Sequence, residues 1–96
     1  MLERDFQSNL KKELKELFPG CLILKNDANY IQGIPDLLIL YKGKWAALEN
    51  KKSIRAKHQA NQDYYVDKMN DMSYASIICP ENKEEVLNDL RELFKA

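Results

Sequence analysis

The sequence contains few of the residues that mark the more specialised classes of protein. Among 96 residues there are two cysteines, one histidine, three glycines and three prolines. Two cysteines and one histidine cannot supply the four ligands of a structural zinc site. No apolar run approaches the roughly 20 residues that cross a bilayer, so we expect no membrane span. The first residues lack the basic start and apolar stretch of a secretion signal, so we expect a cytoplasmic protein.

The two cysteines lie far apart in the chain. Cys21 and Cys79 each stand in an apolar stretch. Because disulfides are rare in the cytoplasm, we predict two free, buried thiols rather than a disulfide.

Length and charge limit the architecture and the partners. A chain of 96 residues predicts one domain, spanning 1–96, with a core so small that association with a second copy would add stability. Its net charge is zero, but the segment from Lys42 to His58 carries six basic side chains against Glu49 alone. Such a segment is either an electrostatic footprint for phosphates or a solvated lysine-rich loop.

The spacing of apolar residues predicts an α/β fold. A stripe from Leu2 to Phe18 predicts a helix that ends at Pro19-Gly20, and later stripes predict two more helices. The predicted order is helix 2–18, strands 21–25, 36–41 and 44–51, helix 59–70, strand 74–79 and helix 81–95. This α-β-β-β-α-β-α order predicts a small mixed sheet flanked by helices. On the second helix, we expect one face to carry Tyr65, Val66, Met69 and Met72.

Three Glu-x-Lys triplets occur, at 13–15, 49–51 and 81–83. On a helix, residues two apart point in nearly opposite directions, whereas on a strand they share a face. Only the triplet at 49–51 falls on a predicted strand. Glu49 and Lys51 should therefore project side by side.

A tight turn at Lys42-Gly43 would place Asp36 directly opposite Glu49 on the neighbouring strand. The Cβ atoms of such a pair lie about 4.5–5.5 Å apart. Two facing carboxylates repel unless a cation lies between them, and oxygen ligands favour Mg²⁺ or Mn²⁺. Lys51 would then help hold the attacking water or stabilise charge on a phosphate. The alternative is a surface hairpin with a turn aspartate and an exposed Glu–Lys pair.

Two motifs resemble a known nuclease signature. Gly33-Ile34-Pro35-Asp36-Leu37 precedes Leu48-Glu49-Asn50-Lys51, and together they resemble the PD-(D/E)xK superfamily, more narrowly its virus-type replication-repair nuclease (VRR-NUC) family. The resemblance implies a restriction-endonuclease-like α-β-β-β-α-β core with a C-terminal helix. It implies that Asp36, Glu49 and the carbonyl of Asn50 bind Mg²⁺ or Mn²⁺. Lys51 would be the catalytic lysine.

The family also has a glutamine on the helix after the catalytic strand and an acid on the first helix. Gln59 or Gln62 matches the glutamine, with Gln62 at helical spacing from inward-facing residues. Glu3 matches the acid best, and Glu13 remains an alternative. Four residues that follow the catalytic strand are expected to hold DNA phosphates: Lys52, Arg55, Lys57 and His58.

We therefore expect a metal-dependent DNA endonuclease that selects branched DNA, such as a four-way junction, and acts as a homodimer. The alternative from a different class is a non-catalytic DNA-binding or protein-interaction module with this fold. A sequence-specific restriction enzyme is less favoured, because little chain remains for loops that read bases.

Overall fold

The helices and strands follow one another in the order that the sequence predicts. The computed structural model describes residues 2–95. Its elements are α1 (Glu3–Leu17), β1 (Leu22–Lys25), β2 (Leu37–Tyr41), β3 (Lys44–Asn50), α2 (Ala60–Met72), β4 (Ala75–Ile78) and α3 (Lys83–Leu93). The fold is thus α/β, with three helices and a small mixed sheet among the described residues.

The four strands form one sheet in the order β1-β2-β3-β4. The first three are antiparallel to their neighbours, and β4 runs parallel to β3. The predicted hairpin is confirmed, because Tyr41 pairs with Lys44 across a turn of two residues. Lys42 and Gly43 both have positive φ, as a two-residue hairpin turn requires.

One face of the sheet carries the main core. Helices α1 and α3 contribute apolar side chains to a cluster with residues of β2, β3 and β4. The fully buried members of this cluster include Leu10, Leu14, Leu37, Ile39, Leu48, Ile78, Leu87 and Leu90. The apolar faces that the sequence predicts for the first and last helices are therefore confirmed, except that Leu2, where the predicted stripe begins, precedes α1 and is 57% exposed.

Helix α2 covers the other face of the sheet, over β3 and β4. It buries none of its residues completely. Tyr65, Val66 and Met69 are half-buried, but Met72 is 64% exposed, so its predicted place on an inward face is wrong. The reason is that Met72 is the last residue of α2. In addition, the sheet presents charged groups to part of this helix.

Strand β3 is buried on both faces from Ala46 to Asn50, because α2 lies on one side of it and the core formed with α1 and α3 lies on the other. Its C-terminal end therefore carries charged and polar side chains into the interior. Both cysteines are free thiols, as predicted, and Cys79 is buried, but Cys21 is only half-buried rather than buried as predicted. Within residues 2–95, no helix is both long enough and apolar enough to cross a bilayer.

Candidate active site

The adjacent ends of β2 and β3 bring two carboxylates together. Leu37 pairs with Leu48, so one further step along the hairpin places Asp36 opposite Glu49. Asp36 also contacts β3 through its side chain, because the backbone N–H of Asn50 donates to its Oδ2 at 3.0 Å. The juxtaposition of Asp36 and Glu49 follows from the register of the hairpin.

Pro35 ends the regular ladder at this point. The same register places Pro35 opposite Asn50, and the Pro35 side chain is fully buried. Because proline has no N–H, it cannot donate to a carbonyl across the hairpin. The backbone carbonyl of Asn50 is thereby left without the ladder donor that another residue would supply.

The Asn50 side chain is also unusual. It is 1% exposed, and its Oδ1 and Nδ2 have no hydrogen-bond partner among the described residues. A buried polar group without a partner costs about 1–3 kcal/mol. Asn50 therefore makes the free energy of folding less favourable than an apolar residue would at this position.

Glu49 lies in an environment that disfavours its charge. It is 4% exposed. Burial, and next the nearby Asp36 carboxylate, raise the pKa of Glu49 to about 7, against the opposing effect of Lys51. When Glu49 is ionised, its negative charge lies close to that of Asp36, and a nearby cation would stabilise the ionised form.

Gln62 links Glu49 to Lys51. Its Nε2 donates to Glu49 Oε2 at 3.2 Å, and its Oε1 accepts from Lys51 Nζ at 2.8 Å. Lys51 Nζ also donates to the Lys57 carbonyl at 3.2 Å. These contacts hold Lys51, itself 9% exposed, in one position beside the carboxylates. Of the two glutamines that the sequence leaves open, Gln62 is the one in contact with Glu49 and Lys51.

Gln59 has a different place, at the start of the helix. It is the N-cap of α2, where its side chain and that of Gln62 form a reciprocal capping box. Its backbone N–H donates to Gln62 Oε1 at 3.2 Å. The cap thus fixes the Gln62 side chain as well as the end of the helix.

The two candidate acids on α1 lie in different surroundings. Glu3 is the first residue of α1, and its charge contributes to the raised pKa of Glu49. Glu13 lies 3.2 Å from Lys83, with which it forms an ion pair. Glu3 is therefore the acid whose charge reaches the candidate site.

The basic segment between β3 and α2 lies on the surface. Lys52, Arg55, Lys57 and His58 are all exposed, and His58 Nδ1 lies 3.1 Å from Asp63 Oδ1. The segment is tied to the site by the bond from Lys51 to the Lys57 carbonyl. Its exposed positive charges therefore lie close to the two carboxylates.

The donor set is compatible with a hard divalent cation. Among residues 2–95, no group of three or more His, Cys, Asp or Glu side chains is arranged to hold a metal ion. The site offers two carboxylates, Asp36 and Glu49, together with the Asn50 carbonyl. Mg²⁺ commonly takes one or two carboxylates and keeps several waters, so these donors fit it.

Gly33 fixes the loop before Asp36 against α2. It has a φ of +91°, and a Cβ there would lie 2.5 Å from Asn61 Cβ. Asn61 Nδ2 also donates to the Gln32 carbonyl at 3.4 Å. Only glycine lets this loop approach the first turn of α2 so closely.

We predict that Gly33→Ala lowers the free energy of unfolding more than Gly20→Ala does. Both glycines have φ near +90°, but a Cβ on Gly20 would meet nothing within 4 Å. The two variants share the backbone strain, so their difference reports the clash with Asn61, which we expect to cost about 1–3 kcal/mol. Urea denaturation measures both. Equal losses would contradict the close packing of this loop.

Comparisons of the chain with protein families, with curated proteins and with solved structures each found no match.

Several contacts around the site were not predicted from the sequence. The packing of Gly33 on Asn61 depends on how a loop meets a helix, and no local pattern encodes it. The pair of His58 and Asp63 spans five residues at the start of α2. The only sequence feature that could have indicated this pair is an acidic residue in the first turn of the helix.

Proposed function

We propose that this chain is a metal-dependent DNA endonuclease with the restriction-endonuclease-like fold that the PD-(D/E)xK resemblance implies. The observation that carries the proposal is the group formed by Asp36, Glu49, Lys51 and Gln62. It combines two facing carboxylates with a buried lysine held 2.8 Å from Gln62. The α-β-β-β-α-β core and the added α3 agree with that fold.

Asp36, Glu49 and the Asn50 carbonyl would hold Mg²⁺ or Mn²⁺. When bound, the cation lowers the pKa of water and stabilises negative charge on a phosphodiester oxygen. Asp36 is kept in place by the N–H of Asn50, and Glu49 by the amide of Gln62. Both carboxylates are thus positioned before a cation arrives, which limits the cost of ordering them.

Lys51 supplies a fixed positive charge on the same face of β3. Its ammonium would orient the attacking water and stabilise the charge that develops on the phosphate. Gln62 positions this ammonium through its Oε1. The exposed Glu3 carboxylate would act at longer range, by adding negative charge beside the cation site.

The test is incubation of the protein with linear duplex, flap and four-way-junction DNA, with and without Mg²⁺ or Mn²⁺. We expect cleavage that requires the metal and is faster on branched DNA. Binding without cleavage under every metal condition would instead support a non-catalytic DNA-binding module. Equal cleavage of junction and linear duplex in competition would reject selection of DNA structure.

We predict that DNA binding weakens steeply with salt through the basic segment. Replacing Lys52, Arg55 and Lys57 with alanine should flatten the slope of log K against log salt by roughly 2–3, at about 0.9 per phosphate contact. A matched variant without the exposed Lys12, Lys15 and Lys95 should change the slope much less. Titration of labelled duplex at several salt concentrations gives both slopes. An unchanged slope in the first variant would mean that the segment is only solvated.

We also propose that two copies form a two-fold dimer, which would present two identical sites to a junction. Exposed apolar side chains on α2, Tyr64 at 56% and Met72 at 64%, support a partner surface there. Light scattering at micromolar concentration should give twice the chain mass of 11.2 kDa. A mass near that of one chain would reject the dimer.

A further inference from the structure

An open cavity of about 500 Å³ lies between the loop 26–34, strand β2 and helix α2. We call it the loop pocket. Its apolar lining comes from Tyr30, Ile31, Ile34, Leu38 and Met69. Its volume lies within the range of about 300–1,000 Å³ that is typical of sites for small organic groups.

The loop pocket is joined directly to the backbone that carries Asp36. Its wall residue Asn26 donates from its backbone N–H to the Asp36 carbonyl at 2.7 Å. The Nδ2 atom of Asn26 donates to the Pro35 carbonyl at 2.8 Å. Leu38 follows Asp36 by two residues and so projects on the same face of the strand. A group in the loop pocket would therefore lie next to whatever is bound at Asp36.

Charge and shape in the loop pocket favour an uncharged planar group. Asp27 supplies the one charged side chain among the lining residues, and a carboxylate repels phosphate. Tyr30 is 85% exposed, so one large ring is available for stacking at the edge of an apolar cavity. Asn26 and Asp27 also bring side-chain oxygens that accept hydrogen bonds. A nucleobase has the required flat apolar faces and an edge with N–H donors.

We propose that the loop pocket binds one unpaired nucleobase of the DNA strand held at Asp36 and Glu49. This inference rests on the proposed nuclease function for its DNA ligand. A base in an intact duplex is held by pairing and stacking, and its removal costs a few kcal/mol. A bulged, mismatched or branch-point base costs least to place in a pocket. The loop pocket would thus select DNA with an unpaired base beside the cleaved bond, without reading sequence.

The experiment compares the affinity of three duplexes that differ at one position. One is fully paired, one has a single bulged adenine, and one has an abasic residue at the bulge. Fluorescence anisotropy in EDTA measures binding without cleavage. Stacking on an aromatic side chain is worth about 1–3 kcal/mol per base, so the bulged adenine should bind roughly 5- to 150-fold tighter than the abasic bulge.

Variants assign this preference to the loop pocket. Tyr30→Ala should remove it, whereas Tyr30→Phe, which keeps the ring, should retain it. Leu22→Ala is a matched control, because it removes another exposed apolar side chain from the strand that precedes the loop. Circular dichroism and light scattering confirm that each variant keeps its fold and its mass.

Three results would overturn the proposal. One is a preference for the bulged adenine that survives in Tyr30→Ala. The second is an equal loss of affinity for all three duplexes, which would make Tyr30 a general DNA contact. The third is a changed mass in Tyr30→Ala, which would make the loop pocket a surface for another protein chain.

The same binding measurements, combined with the cleavage assay in Mg²⁺, separate this proposal from the nuclease proposal. A base preference that depends on Tyr30, in a protein that cleaves no DNA with Mg²⁺, would support the loop pocket and reject the nuclease. Metal-dependent cleavage without any preference for the bulged adenine would reject the loop pocket alone.

Discussion

Lys51→Met should lower the single-turnover rate of DNA cleavage by at least about 100-fold, the usual effect of removing one group that stabilises developing charge. Methionine keeps much of the length and apolar character of the lysine stem but has no ammonium. The affinity for DNA should change little, because Lys51 is buried against Gln62 and Lys57 rather than exposed with the basic segment.

Two controls make the Lys51→Met result specific. Lys12→Met removes an exposed lysine from α1 and should cleave at the wild-type rate. Gln62→Ala should also slow cleavage, by less than Lys51→Met, because it frees the ammonium without removing it. A Lys51→Met protein that is folded and cleaves at the wild-type rate would refute the role of Lys51.

The second large effect concerns the stability of the metal-free protein. The pKa of Glu49 is raised by burial and by Asp36 to about 7, from an ordinary value of 4.5. The folded state therefore binds a proton more tightly than the unfolded state does. The stability from this proton is fully present below pH 4.5 and is lost as pH rises through about 7.

Glu49→Gln should remove this pH dependence. In EDTA, we expect the wild-type protein to match the variant near pH 4.5 and to be less stable at pH 8. The difference is at most about 3 kcal/mol, at 1.36 kcal/mol per pKa unit. Urea denaturation of both proteins across this pH range measures it. A wild-type protein as stable as Glu49→Gln at pH 8 would mean that the ionised carboxylate is not penalised.

Divalent metal should stabilise the wild-type protein but not Glu49→Gln. A cation that binds the folded protein alone stabilises it in proportion to the logarithm of its concentration. At pH 8, Mg²⁺ should therefore raise the melting temperature of the wild-type protein and leave Glu49→Gln nearly unchanged. Glu13→Gln is the matched control, since Glu13 is paired with Lys83 away from the site, and its response to Mg²⁺ should equal that of the wild type.

The parts of the site that were predictable depend on short-range geometry. The turn at Lys42-Gly43 leaves two residues between the strands, so it sets the register that places Asp36 opposite Glu49. The alternation of a strand then puts Glu49 and Lys51 on one face. These inferences need no knowledge of how the helices pack.

The rest of the site depends on how the helices meet the sheet. Gln59 and Gln62 lie close together in the chain. Their roles depend on where α2 starts, because that start makes Gln59 the N-cap and lets Gln62 contact Glu49. Glu3 and Glu13 both lie on α1, and the position of α1 over the sheet decides between them. The loop pocket depends on the path of residues 26–34, which have no periodic pattern.

The proposed role of Asp36 in metal-dependent cleavage can be measured by the single-turnover cleavage of a four-way junction by wild-type protein and Asp36→Ala. Both reactions are followed on a gel, in Mg²⁺ and in EDTA, after circular dichroism has shown that the variant is folded. We predict that wild-type protein cleaves the junction in Mg²⁺ but not in EDTA and that Asp36→Ala cleaves it in neither buffer. Wild-type cleavage that persists in EDTA, or a folded Asp36→Ala protein that cleaves at the wild-type rate, would contradict this role.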